Sequence, residues 1–192
     1  MKLYGSQTSP FVRRIRLLLA TQYFEFINLN IFDAADRQTL MTKNPSLKIP
    51  MLEDDDEVIF DSGVIQRYVS AKLDLPHLSW KEENLLTLIN AANDSLVALL
   101  LCQRSGFDTQ ADVLFFNLQH ERIAQSLDAL ETAVHQGQFS QWRYPAMALF
   151  CLVDWIAFRE LVSLANYPNL QAFTAQFQQQ PGVDISDPRL AV

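Results

Sequence analysis

The sequence predicts an α/β N-terminal domain followed by an all-α C-terminal domain. Strand-like and helix-like patterns alternate up to about Leu73, strand-like periodicity then stops, and only helical periodicity follows. With 192 residues, the chain is long enough to bury a core in one or two domains. We therefore place the domains at residues 1–75 and 80–192, with a linker near residues 74–79.

A strand over residues 2–5 opens the chain, and a helix begins after Ser9. Serine is a preferred N-cap residue, and Pro10 suits the first helical position. Phe11 starts the apolar stripe of this helix. Arg13 lies off the stripe and is expected to be exposed to solvent, with electrostatic orientation of the site as the alternative. Ser9 therefore lies at the positive end of a helix dipole, and simple helix capping is the alternative explanation for it.

Two apolar segments surround an acidic turn and predict a β-hairpin. Residues 49–52 and 58–60 are apolar, and residues 53–57 between them are all acidic, which is typical of a solvated turn. Pro50 has no backbone N–H for a strand ladder, so we expect it to open an edge strand. The backbone of Ile49 is then available to pair with an extended ligand.

A further helix begins at Asp61 and Ser62, directly after the hairpin, and helix starts attract anions. A strand over residues 24–29 and a weak helix over residues 37–42 complete the order β-α-β-α-β-β-α. This is the order of a thioredoxin-like domain. The hairpin and the helix start together outline a binding site for a small peptide, with an ordinary helix start as the alternative for Asp61 and Ser62.

Three local motifs resemble those of the cytosolic glutathione transferases, most of all the small bacterial members. The motifs are Ser9-Pro10-Phe11, Asn44-Pro45 through Lys48-Ile49-Pro50, and Asp61-Ser62. Each motif is weak alone, whereas their order and spacing are specific, and the similarity extends over nearly the whole chain. The resemblance implies the glutathione transferase fold, a thioredoxin-like domain of residues 1–75 that binds glutathione, and an all-helical domain of residues 80–192.

The resemblance also implies a set of substrate-binding residues. It implies that the peptide bond before Pro50 is cis and that the backbone of Ile49 pairs with the cysteinyl unit of glutathione. It further implies that Asp61 and Ser62 hold the γ-glutamyl end. The residues carried over to this chain are Phe11, Lys48, Ile49, Pro50, Asp61 and Ser62.

Ser9 is the catalytic residue that the resemblance implies. Its hydroxyl donates to the sulfur of glutathione, the co-substrate, so that the thiolate attacks a small hydrophobic electrophile, as in detoxification. Relatives with cysteine at this place support mixed-disulfide chemistry, which serine disfavours. Two alternatives stay open, a non-catalytic binding or scaffold protein with this fold and a glutathione-dependent peroxidase or reductase.

Charge and composition exclude other functions. The formal net charge is −7, and residues 76–192 hold 6 basic and 12 acidic side chains, which argues against a nucleic-acid partner. Cys102 and Cys151 are far apart and predict neither a disulfide framework nor a metal site. We expect a cytoplasmic protein with no membrane partner, because no apolar signal region follows Met1. By resemblance, we expect a homodimer through the first two helices of the second domain.

The second domain reads as four helices, over residues 80–103, 111–134, 145–164 and 169–178. The tail from Gln179 onward has no periodicity and is expected to lie across the surface or in partial disorder, with no assigned function. The third helix lacks the Ser/Thr-x-x-Asp capping box usual in the family, because the matching residues are Arg143 and Ala146.

Overall fold

The structure, a computed structural model, describes residues 1–191 and falls into two compact units. Residues 1–77 form the first unit together with the C-terminal residues 178–191. The second unit is Leu78–Phe177.

Within residues 1–77, the first unit contains a four-stranded mixed sheet with three α-helices. Its elements are β1 (Lys2–Gly5), α1 (Pro10–Leu18), β2 (Glu25–Asn28), α2 (Ala34–Lys43), β3 (Met51–Asp54), β4 (Glu57–Phe60) and α3 (Ser62–Lys72). The strand order across the sheet is β2-β1-β3-β4, with β1 and β2 parallel and the other neighbours antiparallel. The predicted thioredoxin-like order of elements is therefore confirmed.

In the hairpin of β3 and β4, β3 is an inner strand of the sheet and β4 is an edge strand. The prediction that Pro50 opens an edge strand is therefore wrong. β3 pairs with β1 as well as with β4, so it is an inner strand. Its paired residues begin at Met51, and Pro50 stands just before them, where its missing N–H interrupts neither ladder. The sequence did not reveal this because the partner strand β1 lies almost fifty residues away along the chain.

The core of the first unit is formed by the inner strands and by the faces of α1 and α3. Leu3, Leu52, Ile15, Ile65 and Val69 are all fully buried. Helix α1 packs against α3, and α3 also packs against β3 and β4. Because each such side chain contributes about 1.5–3 kcal/mol when buried, this packing fixes the helix starts relative to the strands.

The second unit is all-helical, as predicted. Its helices are α4 (Trp80–Arg104), α5 (Leu114–His135), α6 (Tyr144–Arg159) and α7 (Pro168–Phe177). Helix α4 packs against α5 and α6, and α7 packs against α5 and α6. The end of α7 contributes to an aromatic cluster in which Trp142 stacks on Phe177 with ring centroids 5.0 Å apart, and Phe173 meets Phe177 edge-on at 4.9 Å.

Helix α6 begins without a side-chain cap, as the missing capping box predicts. Its N-cap residue is Arg143, whose side chain makes no capping hydrogen bond. Arg143 instead forms an ion pair with Glu82, with 2.6 Å between Nη1 and Oε1. Glu82 belongs to the capping box that starts α4, where Ser79 and Glu82 bond to each other's backbone N–H groups. The start of α6 is thus tied to the start of α4 by charge.

Helix α4 has the length and hydropathy that a membrane span needs. Among the helices of residues 1–191, it alone passes this test, and 44% of its most apolar window is buried inside the protein. The core helix of a helical bundle passes the same test, so the finding is weak support for a membrane span.

The C-terminal segment departs from the sequence prediction. Residues 80–192 were predicted to form one helical domain, but residues 178–191 belong to the first unit. They are ordered, with Val183 and Ser186 buried and a short 3₁₀ helix at Pro188–Ala191. The expectation of a partly disordered tail is therefore wrong for the described residues.

Candidate functional site

Three segments predicted to form the site meet at one end of the sheet in the first unit. The register aligns Tyr4 of β1 with Met51 of β3, and Met51 with Phe60 of β4. The chain leaves β1, enters β3 and leaves β4 at this same end, because β3 is antiparallel to both neighbours. We call it the open end of the sheet. Its segments are residues 6–9, residues 49–50 and residues 61–62.

Ser9 is the N-cap residue of α1, as predicted. Its Oγ accepts a hydrogen bond from the backbone N–H of Val12 at 3.3 Å, and Pro10 occupies the first turn. A hydroxyl has one proton to donate and two lone pairs, so a capping serine keeps its proton for another acceptor. The capping and the catalytic explanations of Ser9 are therefore compatible. The positive end of the α1 dipole also favours an anion next to this hydroxyl.

Several hydrogen bonds hold the loop between β1 and α1. The backbone N–H of Ser9 donates to the carbonyl of Ser6 at 3.0 Å. The backbone N–H of Gln7 donates to Oδ1 of Asn28, at the end of β2, also at 3.0 Å. The hydroxyls of Ser6 and Thr8 lie 3.2 Å apart and bond to each other. This network ties the loop to the sheet.

The loop before β3 is organised around Asn44, which is fully buried. Its Nδ2 donates to the carbonyl of Lys48 at 2.7 Å, and its Oδ1 accepts from the N–H of Ser46 at 2.9 Å. The Ile49-Pro50 peptide bond that follows is cis, as the resemblance implied. The sequence motif included Asn44 but did not indicate that its side chain organises the loop.

Asp61 is the N-cap residue of α3 and has a positive φ, with φ 75° and ψ 132°. Its Oδ1 accepts from the N–H groups of Gly63 at 2.8 Å and Val64 at 3.4 Å. The residue is exposed, whereas Ser62 beside it is buried. A positive φ at a residue other than glycine is a strained conformation that often marks a functional position.

The remaining predicted site residues are Phe11, Lys48, Ile49 and Pro50. Lys48 is exposed, Ile49 is half-buried and Pro50 is buried, and Ile49 lies outside the paired residues of β3. Phe11 is half-buried in the first turn of α1, with the guanidinium of Arg14 4.7 Å from its ring centroid. A contact of Phe11 with a ligand stays a prediction.

The prediction that Arg13 is exposed is wrong. Only 3% of Arg13 is accessible, and its side chain donates to Oγ of Ser186 and to the carbonyl of Val183, both at 3.1 Å. A buried guanidinium needs such acceptors. They come from the far end of the chain, so no local pattern indicates them.

At the opposite end of the sheet, Glu53 and Asp54 of the acidic run are partly or fully buried and paired, so the solvated-turn prediction is wrong for these two residues and correct for the exposed residues 55–57. We call this the clamped end. Glu53 accepts from the hydroxyl of Tyr4 at 2.6 Å and forms an ion pair with Lys43. Burial opposes ionisation of Glu53, but the bonds from Lys43 and Tyr4 prevail and lower its pKa. Burial and the bond to Glu53 raise the pKa of Tyr4 to about 12.

Asp54, also at the clamped end, is 5% exposed. It forms an ion pair with Lys72, accepts from the hydroxyl of Tyr68 at 2.8 Å, and lies 3.9 Å from the N-terminal ammonium of Met1. The hydrogen bond from Lys72 is the main cause that holds the pKa of Asp54 below its ordinary value, against the effect of burial. These carboxylates are occupied by protein partners and are not available to a ligand.

Comparisons with known proteins agree with the fold. The family model for the N-terminal domain of glutathione S-transferase matches residues 1–71. The uncharacterized GST-like protein YibF of Escherichia coli (strain K12) is 30% identical over an alignment of 174 positions that covers 84% of each chain. Glutathione S-transferase 3 of Zea mays is 28% identical over an alignment of 210 positions, gaps included, that covers 99% of this chain and 85% of the maize protein. Among solved structures, a glutathione S-transferase from Methylobacillus flagellatus KT with glutathione bound has a TM-score of 0.84 at 20% identity, over 97% of this chain and 98% of the other.

Proposed function

Because the chain belongs to the glutathione S-transferase family, we propose that it binds glutathione at the open end of the sheet and ionises its thiol for attack on small apolar electrophiles. The observation that carries the proposal is the position of Ser9, whose hydroxyl caps α1 by accepting and so keeps its proton for a sulfur acceptor. The glutathione bound to the Methylobacillus protein, which shares the fold, supports the choice of ligand.

The open end offers a separate group for each part of glutathione. The backbone of Ile49 pairs with the cysteinyl unit, since it lies outside the β3 ladders. The carboxylate of Asp61 takes the γ-glutamyl ammonium, and Ser62 at the start of α3 takes the γ-glutamyl carboxylate. The exposed ammonium of Lys48 suits the glycyl carboxylate. Phe11 contributes apolar surface at the start of α1.

Ser9 and the start of α1 are together strong enough to activate the thiol. A free thiol has a pKa of about 8.5, which must fall by about two units for the thiol to ionise at neutral pH. This shift requires that the anion be stabilised by roughly 2.7 kcal/mol relative to the neutral thiol. A hydrogen bond to a charged group contributes about 1.5–3 kcal/mol, and a helix N-terminus about 0.3–1 kcal/mol. The thiolate then forms a bond from sulfur to the electrophilic carbon, and the electron pair of the broken bond departs with the leaving group.

Glutathione binding to the native protein, measured by calorimetry, tests the proposal. An Asp61→Ala, Ser62→Ala double variant should bind at least about tenfold more weakly, because it loses hydrogen bonds to charged groups of the ligand. The matched control is Asp56→Ala at the exposed hairpin tip, which should bind as the native protein does.

Saturable binding that the double variant loses, followed by conjugation of an aryl halide, supports the proposal. Binding without turnover of aryl halides or peroxides points to the non-catalytic protein, and turnover of peroxides alone points to the peroxidase. The absence of saturable binding by the folded native protein would contradict the proposal.

A cytoplasmic homodimer is part of the proposal. Helices α4 and α5 expose several large apolar side chains, among them Leu101 at 45%, Leu114 at 74% and Phe115 at 47%. Exposed apolar groups on neighbouring helices favour association. Light scattering should give the mass of two chains, and a monomeric mass at micromolar concentration would overturn the dimer.

A further inference from the structure

The C-terminal segment is fastened along helix α1, next to the candidate site. We call residues 182–187 the C-terminal strap. Arg13 donates to Ser186 and to the carbonyl of Val183, both at 3.1 Å. One turn further along α1, Arg16 donates to the carbonyl of Ile185 at 2.7 Å. Two arginines of one helix therefore hold the strap by hydrogen bonds.

Close packing fixes the start of the strap. Gly182 has a φ of +83°, a conformation that glycine adopts without strain. A Cβ built on Gly182 would lie 2.7 Å from Cβ of Ala20, which is closer than real Cβ atoms come. Val183 and Ser186 are each 1% exposed. The strap is therefore a packed part of the first unit, and a side chain at Gly182 should displace it.

Gln7 connects the strap to the loop that carries Ser9. Its side-chain Nε2 donates to the carbonyl of Asp187 at 3.2 Å, while its backbone N–H donates to Asn28 at 3.0 Å. The loop from Ser6 to Ser9 is thus held from the sheet on one side and from the strap on the other. Helix α1, which begins at Ser9, is held by the same strap through Arg13.

We propose that the C-terminal strap positions Ser9 for thiol activation, with Gln7 and Arg13 as the positioning residues. The inference rests on the proposed function, because it concerns the same hydroxyl. A donor stabilises a developing anion best when it is fixed before the reaction and needs no reorganisation. A surface loop that is not held in place moves by local fluctuations. The strength of a hydrogen bond falls steeply as the donor moves away from the ideal distance and angle.

The test compares the pKa of bound glutathione thiol in the native protein and in Gly182→Val, titrated by thiolate absorbance. Displacing the strap should raise this pKa by about half a unit, which lowers the thiolate fraction about threefold at a pH well below it. Glutathione affinity should change little, because Asp61 and Ser62 are untouched. The matched control is Ile185→Ala, which keeps the carbonyl that Arg16 binds and loses only a side chain that is 64% exposed.

Combining each strap variant with Ser9→Ala distinguishes positioning from a general loss of stability. If the strap acts through Ser9, Gly182→Val should raise the thiol pKa in the native background and leave it unchanged in the Ser9→Ala background. Equal shifts in both backgrounds, or no shift in either, would overturn the inference. A native protein that binds no glutathione fails the proposed function instead, so the two failures are distinct.

Gln7→Ala provides a second route if Gly182→Val does not fold. It removes a single tether between the loop and the strap and leaves the packing of Gly182 intact. The expected shift has the same sign and is smaller, and it should also vanish in the Ser9→Ala background. A thiol pKa identical to that of the native protein would contradict the role of Gln7.

Discussion

The two ends of the sheet in the first unit use polar groups in opposite ways. At the clamped end, Glu53 and Asp54 are paired with Lys43 and Lys72, and tyrosine hydroxyls add further bonds. At the open end, Ser9 and the exposed Asp61 bond to the backbone of the helices they cap. The clamped end satisfies its charges within the chain, whereas the hydroxyl of Ser9 and the carboxylate of Asp61 at the open end are the groups that we propose bind glutathione.

Helix α3 connects these two ends of the sheet. Its N-cap residue Asp61 stands at the open end, and Lys72 in its last turn binds Asp54 at the clamped end. Positive charge at a helix C-terminus and a carboxylate at its N-terminus both suit the helix dipole. The ion pair at one end of α3 stabilises the element whose other end contributes to the site. The charge pair that stabilises α3 at the clamped end therefore uses none of the residues of the candidate site.

Asp54→Asn should give the largest change in stability and leave the open end unaffected. The substitution removes the buried charge that binds Lys72 and Tyr68, while the amide oxygen of asparagine can still accept one bond; because a hydrogen bond to a charged group contributes about 1.5–3 kcal/mol, the free energy of unfolding should fall by about 2–3 kcal/mol. Chemical denaturation measures this. The control Asp56→Asn, at the exposed hairpin tip, should change it by less than about 0.5 kcal/mol. Equal losses in the free energy of unfolding for Asp54→Asn and Asp56→Asn would mean that the bonds of Asp54 do not stabilise the fold.

Acid should weaken the clamped end in a defined direction. Pairing with Lys72 lowers the pKa of Asp54 below its ordinary value of 3.8, so its contribution to stability is complete above that pH. The contribution is lost as the pH falls through the lower pKa of the folded state. Denaturation curves between pH 5 and about pH 2 should therefore show a steeper loss for the native protein than for Asp54→Asn. Parallel losses would remove Asp54 as the cause.

Leu47→Gly should give a smaller effect, and in the stabilising direction. Leu47 has a φ of +54°, in the loop that leads to the cis Ile49-Pro50 bond. This conformation costs a residue with a Cβ about 1–2 kcal/mol, and glycine removes that strain from the folded state. Glycine also raises the conformational entropy of the unfolded chain, which offsets part of the relief, so the free energy of unfolding should rise by up to about 1 kcal/mol. Leu47→Ala, which keeps the Cβ, should show no gain. A stability loss with glycine would contradict the strain at this position.

Local chemistry in the sequence was enough to predict the helix starts and the hairpin. Ser9 before Pro10 and Asp61 after an apolar strand are local capping signals, and the structure has caps at both places. Apolar residues on both sides of an acidic turn likewise indicated β3 and β4. Such features depend on neighbours within a few residues, which the printed sequence shows directly.

Features that depend on distant partners could not be read from the sequence. Arg13 looked exposed because its acceptors lie at Val183 and Ser186. Glu53 looked solvated because Tyr4, one of its partners, belongs to a strand whose pairing with β3 leaves no local pattern. The organising role of Asn44 was missed for another reason, since its bonds are local but an asparagine before proline is typical of any loop.

The most direct test of the account is the thiol pKa of glutathione bound to Ser9→Ala, compared with the native protein by thiolate absorbance. Loss of a hydrogen bond to the anion, worth about 1.5–3 kcal/mol, should raise this pKa by about one to two units while glutathione affinity stays nearly unchanged. Ser9→Thr, which keeps a hydroxyl, should stay close to the native value. Coincident titration curves for the native protein and Ser9→Ala would show that Ser9 does not activate the thiol.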